Sequence, residues 1–178
     1  MPTPTPRQDA PPLSVSQVAG GTWSLDAQAP EAFSMIVFYR GLHCPVCRTY
    51  LNTLDRLIDD YRAAGTAPIA VSMDTRDRAQ RTVEEWELET LPVGYGLSEE
   101  DARRWGLHLS EGIKDDEPGL FCEPGLFLVR PNGTLFYAAV NSMPFGRPDL
   151  ENFLESIRWI EEHDYPARGE VRTQPAVS

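Results

Sequence analysis

Long hydrophobic runs are missing from this chain. The best candidate, Met35–Tyr39, has five residues, whereas a membrane-spanning helix needs about eighteen or more. An excess of positive charge is also missing: 16 Lys and Arg stand against 27 Asp and Glu, a net charge of −11. That balance argues against a nucleic-acid surface, which relies on clustered Lys and Arg to meet phosphates. The N-terminus, Met1 to Arg7, has neither a basic n-region nor an apolar h-region, so no secretory signal is expected. Cysteine is scarce, with three in 178 residues, an odd number that makes no structural disulfide framework. There is no second CxxC, no HxxxH pair and no internal repeat. A cytoplasmic protein without membrane or nucleic-acid partners is expected, and no cofactor is implied.

What remains is one domain's worth of sequence with an ordinary globular balance, 41% hydrophobic and 24% charged. Residues 1–12 hold five prolines (Pro2, Pro4, Pro6, Pro11, Pro12) and read as a flexible arm. Residues 13–166 are read as a single domain and 167–178 as a polar, fraying tail. Within the domain, Thr22–Leu25 is a short leading strand and Ser34–Arg40 a strand buried on both faces. From Cys44 to Ala64 the spacing of Cys47, Tyr50, Leu51, Leu54, Leu57, Ile58 and Tyr61 predicts a helix, stopped at Gly65. Pro68–Met73 is a second strand. A helix capped by Asp74 or Thr75 runs to about Glu89, with Ala79, Val83 and Trp86 inward. Val93–Leu97 is a short strand, Ser98–Asp101 starts a helix, and Leu107–Leu120 reads as a long loop. Pro131-Asn132-Gly133 joins strands 125–130 and 134–140 as a hairpin. A last helix starts near Pro148. Trp86, Trp105 and Trp159 are expected in the core, and His108 and His163 on the surface. The fold class is α/β, a mixed sheet flanked by helices on both faces.

The chemistry concentrates in Arg40-Gly41-Leu42-His43-Cys44-Pro45-Val46-Cys47, at a strand-to-helix junction. A helix N-terminus offers unpaired N–H groups and the positive end of the dipole, which favour a thiolate. Such placement lowers a cysteine pKa from about 8.5 into a range of roughly 3.5–7.5. The wheel puts Cys47 on the buried stripe and Cys44 at the first-turn edge, facing solvent. Cys44 is therefore read as the attacking thiolate and Cys47 as the resolving thiol. Pro45 suits the first turn, where its missing N–H has no intrahelical partner. His43 and Arg40 are candidate supports for the anion; His43 equally reads as an exposed loop residue and Arg40 as a structural ion-pair partner. Zinc is the alternative chemistry, with His43, His108, Cys122 and His163 the only groups to complete four ligands. Cys122 reads as a buried apolar residue rather than a third redox thiol.

The order of elements, with CxxC at that junction, resembles the thioredoxin fold. Phe38-Tyr39, Ser72-Met73-Asp74 and Gly125–Val129 followed by Pro131-Asn132-Gly133 resemble its peroxiredoxin branch, the alkyl hydroperoxide reductase and thiol-specific antioxidant proteins. The likeness covers about residues 22–163. It implies an oxidoreductase acting on thiols and disulfides, with a thiol reductant or protein substrate; a homodimer, formed through exposed apolar residues, is a separate expectation. Peroxide reduction is the alternative, with Cys47 peroxidatic and Cys44 or Cys122 resolving. A non-catalytic or zinc-binding module of the same fold is a third reading. The family pattern Pro-x-x-x-Thr-x-x-Cys places its proline on Arg40, its threonine on Cys44 and its cysteine on Cys47. A distant family arginine falls on Pro124, so three of these four positions differ. Pro124 stands where thioredoxin-like oxidoreductases carry a cis-proline. About 5–6% of X–Pro bonds are cis, so a cis Glu123–Pro124 is an implication of the resemblance alone. It would leave backbone at Glu123 and Pro124 to bind substrate and set Cys122 near the pair.

Overall fold

Strand formation in the middle of the chain follows from six consecutive residues with no surface to spare. In the computed structural model, which describes residues 4–171, Phe33–Phe38 is buried along its whole length. The strands are β1 (Ser14–Gln17), β2 (Thr22–Ser24), β3 (Phe33–Phe38), β4 (Thr66–Val71), β5 (Val93–Tyr95), β6 (Leu109–Glu111), β7 (Leu120–Cys122), β8 (Gly125–Val129) and β9 (Leu135–Val140). The helices are α1 (Pro45–Arg56), α2 (Ile58–Ala63), α3 (Arg76–Glu85), α4 (Glu99–Arg104) and α5 (Leu150–His163). Seven strands form one mixed sheet in the order β2-β1-β5-β4-β3-β8-β9. At its centre Ile36 pairs in parallel with Ile69 and antiparallel with Phe127.

Alternation along β3 feeds two cores. Met35 and Val37 join Cys44, Cys47, Leu51, Leu54 and Tyr61 on one side; Ile36 and Phe38 join Trp105, Phe127 and Cys122 on the other. Burying a leucine such as Leu51 or Leu54 contributes roughly 1.5–3 kcal/mol, and that gain holds α1 and α2 against the sheet. Two tyrosines then fix the start of α5 to the same helices. Tyr50 Oη donates to Pro148 O (2.8 Å) and Tyr61 Oη to Leu150 O (2.7 Å). Asp55 accepts the N–H groups of Glu89, Thr90 and Leu91, tying α1 to the approach to β5.

Several expectations are corrected. The helix expected over Cys44–Ala64 breaks at Leu57, whose N–H is shared between Thr53 O and Leu54 O, a tightening of the last turn of α1. The 107–120 loop contains β6, which pairs with β7 in a separate two-stranded sheet. Residues 4–12 are not a free arm. Arg7 N–H donates to Leu135 O, Leu135 N–H to Gln8 O and Ala10 N–H to Gly133 O. Arg7 to Ala10 lie between Pro6 and Pro11, so their N–H groups remain available for pairing, and they cover part of the edge beside β9. Ala167 O accepts from Arg7 Nε, which tethers the start of the expected tail; residues 1–3 and 172–178 of the expected arm and tail lie outside the described residues. Trp159 is on the surface, stacked on His163, because it faces away from the sheet on α5. Among the described residues no helix is long and apolar enough to cross a membrane.

Candidate active site

The turn between β3 and α1 is shaped by a glycine and a buried carboxylate. Gly41 has φ +127°, and a Cβ there would meet Asp74 Oδ2 at 2.6 Å. That space lets Asp74 accept the Leu42 N–H (2.8 Å) while its other oxygen accepts from Arg78 Nε (2.8 Å). Asp74 was a candidate cap for α3, but Thr75 takes that place and leaves Asp74 to hold the turn. The chain then delivers Cys44 to the N-cap of α1, with Pro45 at the first helical position.

Cys44 Sγ accepts the Cys47 N–H at 3.2 Å. This orientation turns the sulfur back over the first turn, so Cys44 is 1% exposed and does not face solvent as expected. Burial opposes ionisation, yet the balance is reversed. A hydrogen bond from the Cys47 thiol comes first, then, against burial, the Cys47 N–H and the cations Arg40 and Arg147, lowering the Cys44 pKa to about 6. Cys47, fully buried and facing the Cys44 sulfur, moves the other way, chiefly through burial. Both cysteines are free thiols. The N-cap position concentrates negative charge on the first cysteine and the proton on the second.

Arg40 forms an ion pair with Glu123 (Nε–Oε2 3.3 Å), and its guanidinium lies 4.7 Å from the Phe121 ring centre. The other Glu123 oxygen accepts from Ser110 Oγ at 2.6 Å. These contacts join the small β6–β7 sheet to the cysteine turn. His43 packs on the same Phe121 ring (4.6 Å), and both its ring nitrogens are buried without a hydrogen-bond partner in the structure. Burial and then Arg40 lower its pKa.

The cis Glu123–Pro124 bond that the resemblance implied is corrected. No cis peptide bond occurs among the described residues. Glu123 N–H donates to His108 O and Pro124 O accepts from Asn141 N–H, so both groups are committed to the scaffold and the ordinary trans preference is unopposed. Cys122 is also displaced from its expected place beside the pair: it belongs to the core on the opposite face of the sheet, with Sγ donating to Tyr39 O. Burial pushes its thiol up to about 12. Among the described residues no three His, Cys, Asp or Glu side chains converge as a metal site.

Arg147 was missed as a site residue. It arrives on the loop before α5, a hundred residues from the cysteines, and no local pattern in the sequence marks it. Its guanidinium lies 3.9 Å from the Tyr50 ring centre, Nη2 donates to Val46 O, and Nε and Nη1 are buried without hydrogen-bond partners. It lines a groove of about 620 Å³ with Pro45, Val46, Tyr50 and the exposed Phe145. Phe145 therefore borders the cysteine turn. A larger groove of about 880 Å³ lies by Ser34, Arg130 and Asn132, at the other end of β3, and is lined by no cysteine or histidine.

The AhpC/TSA family model matches residues 6–138. A Trieres chinensis protein named “Putative peroxiredoxin ycf42” is 26% identical over 141 residues, covering 75% of this chain and 65% of that protein. The chain thus spans a little under two thirds of that relative's length. The peroxiredoxin-like protein from Aquifex aeolicus superposes with a TM-score of 0.72 at 18% identity, covering 90% of each chain. Peroxidoxin BcpB from Mycobacterium tuberculosis gives 0.71 at 12% identity, over 88% of this chain and 98% of the other. Both share the fold.

Proposed function

This chain belongs to the AhpC/TSA family, and on that footing we propose that it is a thiol-dependent oxidoreductase with Cys44 as nucleophile and Cys47 as resolving thiol. The observation that carries the assignment is the Cys44 sulfur at the N-cap of α1, accepting the Cys47 N–H. In disulfide exchange the Cys44 thiolate attacks one sulfur of a substrate disulfide and expels the other as a thiolate. The mixed disulfide has no anion at Cys44, so two of the influences holding the proton on Cys47 disappear and burial remains. Cys47 then loses its proton, attacks the Cys44 sulfur and releases the second substrate thiolate. Cys47→Ser is expected to trap a mixed disulfide through Cys44, read by mass spectrometry. Trapping in Cys44→Ser instead overturns the assignment.

Peroxide reduction is the second reading, favoured by Arg147, whose unpartnered Nε and Nη1 are donors suited to a peroxide oxygen. The Cys44 thiolate would take the terminal oxygen, giving a sulfenic acid and an alcohol or water once the leaving oxygen is protonated. Cys47 would condense with the sulfenic acid, releasing water, and two external thiols would reduce the disulfide. The family register puts the peroxidatic cysteine at Cys47, but the N-cap position of Cys44 and its bond from the Cys47 N–H favour Cys44 in this reaction also. Parallel assays of disulfide and peroxide turnover in both single Ser variants separate the readings. Peroxide turnover surviving in Cys44→Ser but lost in Cys47→Ser would restore the family register.

A further inference from the structure

A second cavity adjoins the cysteine turn and shares no lining residue with the Arg147 groove. It measures about 290 Å³ and is lined by Leu42, His43, Arg78, Arg81, Glu85 and Asp116. Small-molecule pockets start at roughly 300 Å³, so it suits a ligand of amino-acid size rather than a protein segment. Its polar groups are incompletely paired. Arg78 gives Nε to Asp74, yet its Nη2 is buried without a hydrogen-bond partner, and so are both nitrogens of His43. A ligand that met these groups would remove the cost of leaving buried polar atoms unpaired.

The walls carry both signs of charge. Arg78 and Arg81 present guanidinium groups on α3, while Glu85, one turn beyond, accepts from Arg81 Nε (2.7 Å), and Asp116 stands exposed on the β6–β7 hairpin. A carboxylate placed against Arg78 Nη2 and His43, with an ammonium toward Glu85 and Asp116, matches that arrangement. A single-charge ligand matches only half of it. Leu42 and His43 lead directly into Cys44, so the pocket borders the turn that carries the cysteines, although neither cysteine lines it.

We propose that this pocket is the reductant subsite, taking a low-molecular-weight thiol that carries an α-amino acid group. The proposal rests on the oxidoreductase reading above and names the class of its electron donor. The thiolate attacks the Cys44–Cys47 disulfide at Cys44, forming a mixed disulfide and releasing Cys47 as a thiolate that takes up a proton. A second thiolate attacks the small molecule's sulfur, giving its disulfide and the free Cys44 thiolate.

The test reduces the oxidised protein with free L-cysteine, cysteamine or 3-mercaptopropionate at matched thiolate concentrations. Each rate is divided by the rate with dithiothreitol on the same protein. L-Cysteine is expected to exceed both single-charge thiols by about tenfold, and Arg81→Gln and Arg78→Lys should each bring that ratio close to one. Equal normalised rates for the three thiols on the wild type, or a preference that survives both substitutions, overturn the subsite. Binding gives a separate readout: S-methylcysteine, which has both charges and no thiol, should shift the amide resonances of Leu42 and His43 and those of Arg78. A missing shift also overturns the subsite. Failure of dithiothreitol to cycle the cysteine pair, with that shift intact, would count against the oxidoreductase reading alone.

Discussion

Cys44 and Cys122 have almost the same accessibility, 1% and 0%, and opposite chemistry. Cys122 lies among apolar side chains on one face of the sheet, its thiol donating to a backbone carbonyl, and its pKa is pushed up to about 12. Cys44 lies at a helix start on the other face, where a thiol, a backbone N–H and two arginines bring its pKa down to about 6. Burial alone therefore does not decide reactivity. Donors and cations around a buried sulfur do, because in a low-dielectric site each acts with less screening than in water.

The largest contrast should be in alkylation and turnover. At pH 7 a thiol with a pKa near 6 is about 90% thiolate and one near 12 about a hundred-thousandth, so iodoacetamide should label Cys44 and leave Cys122 untouched in the folded protein. Access to a sulfur that is 1% exposed slows the absolute rate without moving the midpoint of its pH profile, expected near 6. Cys44→Ser should abolish exchange, and Cys122→Ala should retain it while losing about 1 kcal/mol of stability. Labelling of Cys122 at pH 7 under native conditions would erase the contrast.

Stability should follow pH in opposite senses at the two thiols. The Cys44 pKa is depressed on folding, so its contribution is present above the unfolded value of about 8.5 and is lost as pH falls through about 6. The Cys122 pKa is raised, so its contribution is present below the unfolded value and is lost as pH rises through about 12. Urea midpoints between pH 5 and 7 should therefore fall more steeply with acid in the wild type than in Cys44→Ser, and Cys122→Ala should leave that slope unchanged.

Arg40 gives the next, smaller effect and separates charge from packing. Arg40→Met should raise the Cys44 alkylation midpoint by roughly one pH unit, and it should destabilise the fold by about 3–5 kcal/mol because buried Glu123 loses its partner. Adding Glu123→Gln should recover much of that stability while the alkylation midpoint stays above the wild-type value. Recovery of both together would assign the acidity of Cys44 to the shape of the turn rather than to the cation.

The same contrast marks how far the sequence could be read. Local signals were legible: the apolar run that became β3, the turn Pro131-Asn132-Gly133, a helix start at Asp74 or Thr75 and another at Ser98, and the placement of Cys44 before Pro45. The mixed sheet and the thioredoxin-like order followed from these. What could not be read depends on distant residues meeting. Asp74 looked like a cap until the Gly41 turn came within hydrogen-bond reach of it. The wheel showed which face Cys44 shares but not that an N-cap side chain folds back over its own helix. Cys122, two residues before Pro124 in sequence, lies in the far core at the end of β7, a strand of the separate small sheet. Residues 109–111 lacked a strand pattern because a three-residue strand shows barely one period of alternation.

Arg147 supplies the smallest effect and the finest discrimination. It acts on the same sulfur as Arg40 and in the same direction, but as the weaker of the two cations. It is also tied to the scaffold differently, through Tyr50 and Val46 O rather than through a carboxylate. Arg147→Gln therefore leaves no buried counter-charge behind, and its stability loss should stay within about 1 kcal/mol. The Cys44 alkylation midpoint should rise by less than in Arg40→Met. If Arg147 also donates to a peroxide oxygen, peroxide turnover should fall by on the order of 10²–10³, the loss typical of one removed oxyanion donor, while disulfide exchange falls only in proportion to the thiolate lost. Equal losses in the two reactions would restrict Arg147 to tuning the thiolate. A loss confined to peroxide turnover would make the cysteine turn and the Phe145 groove one site for that reaction.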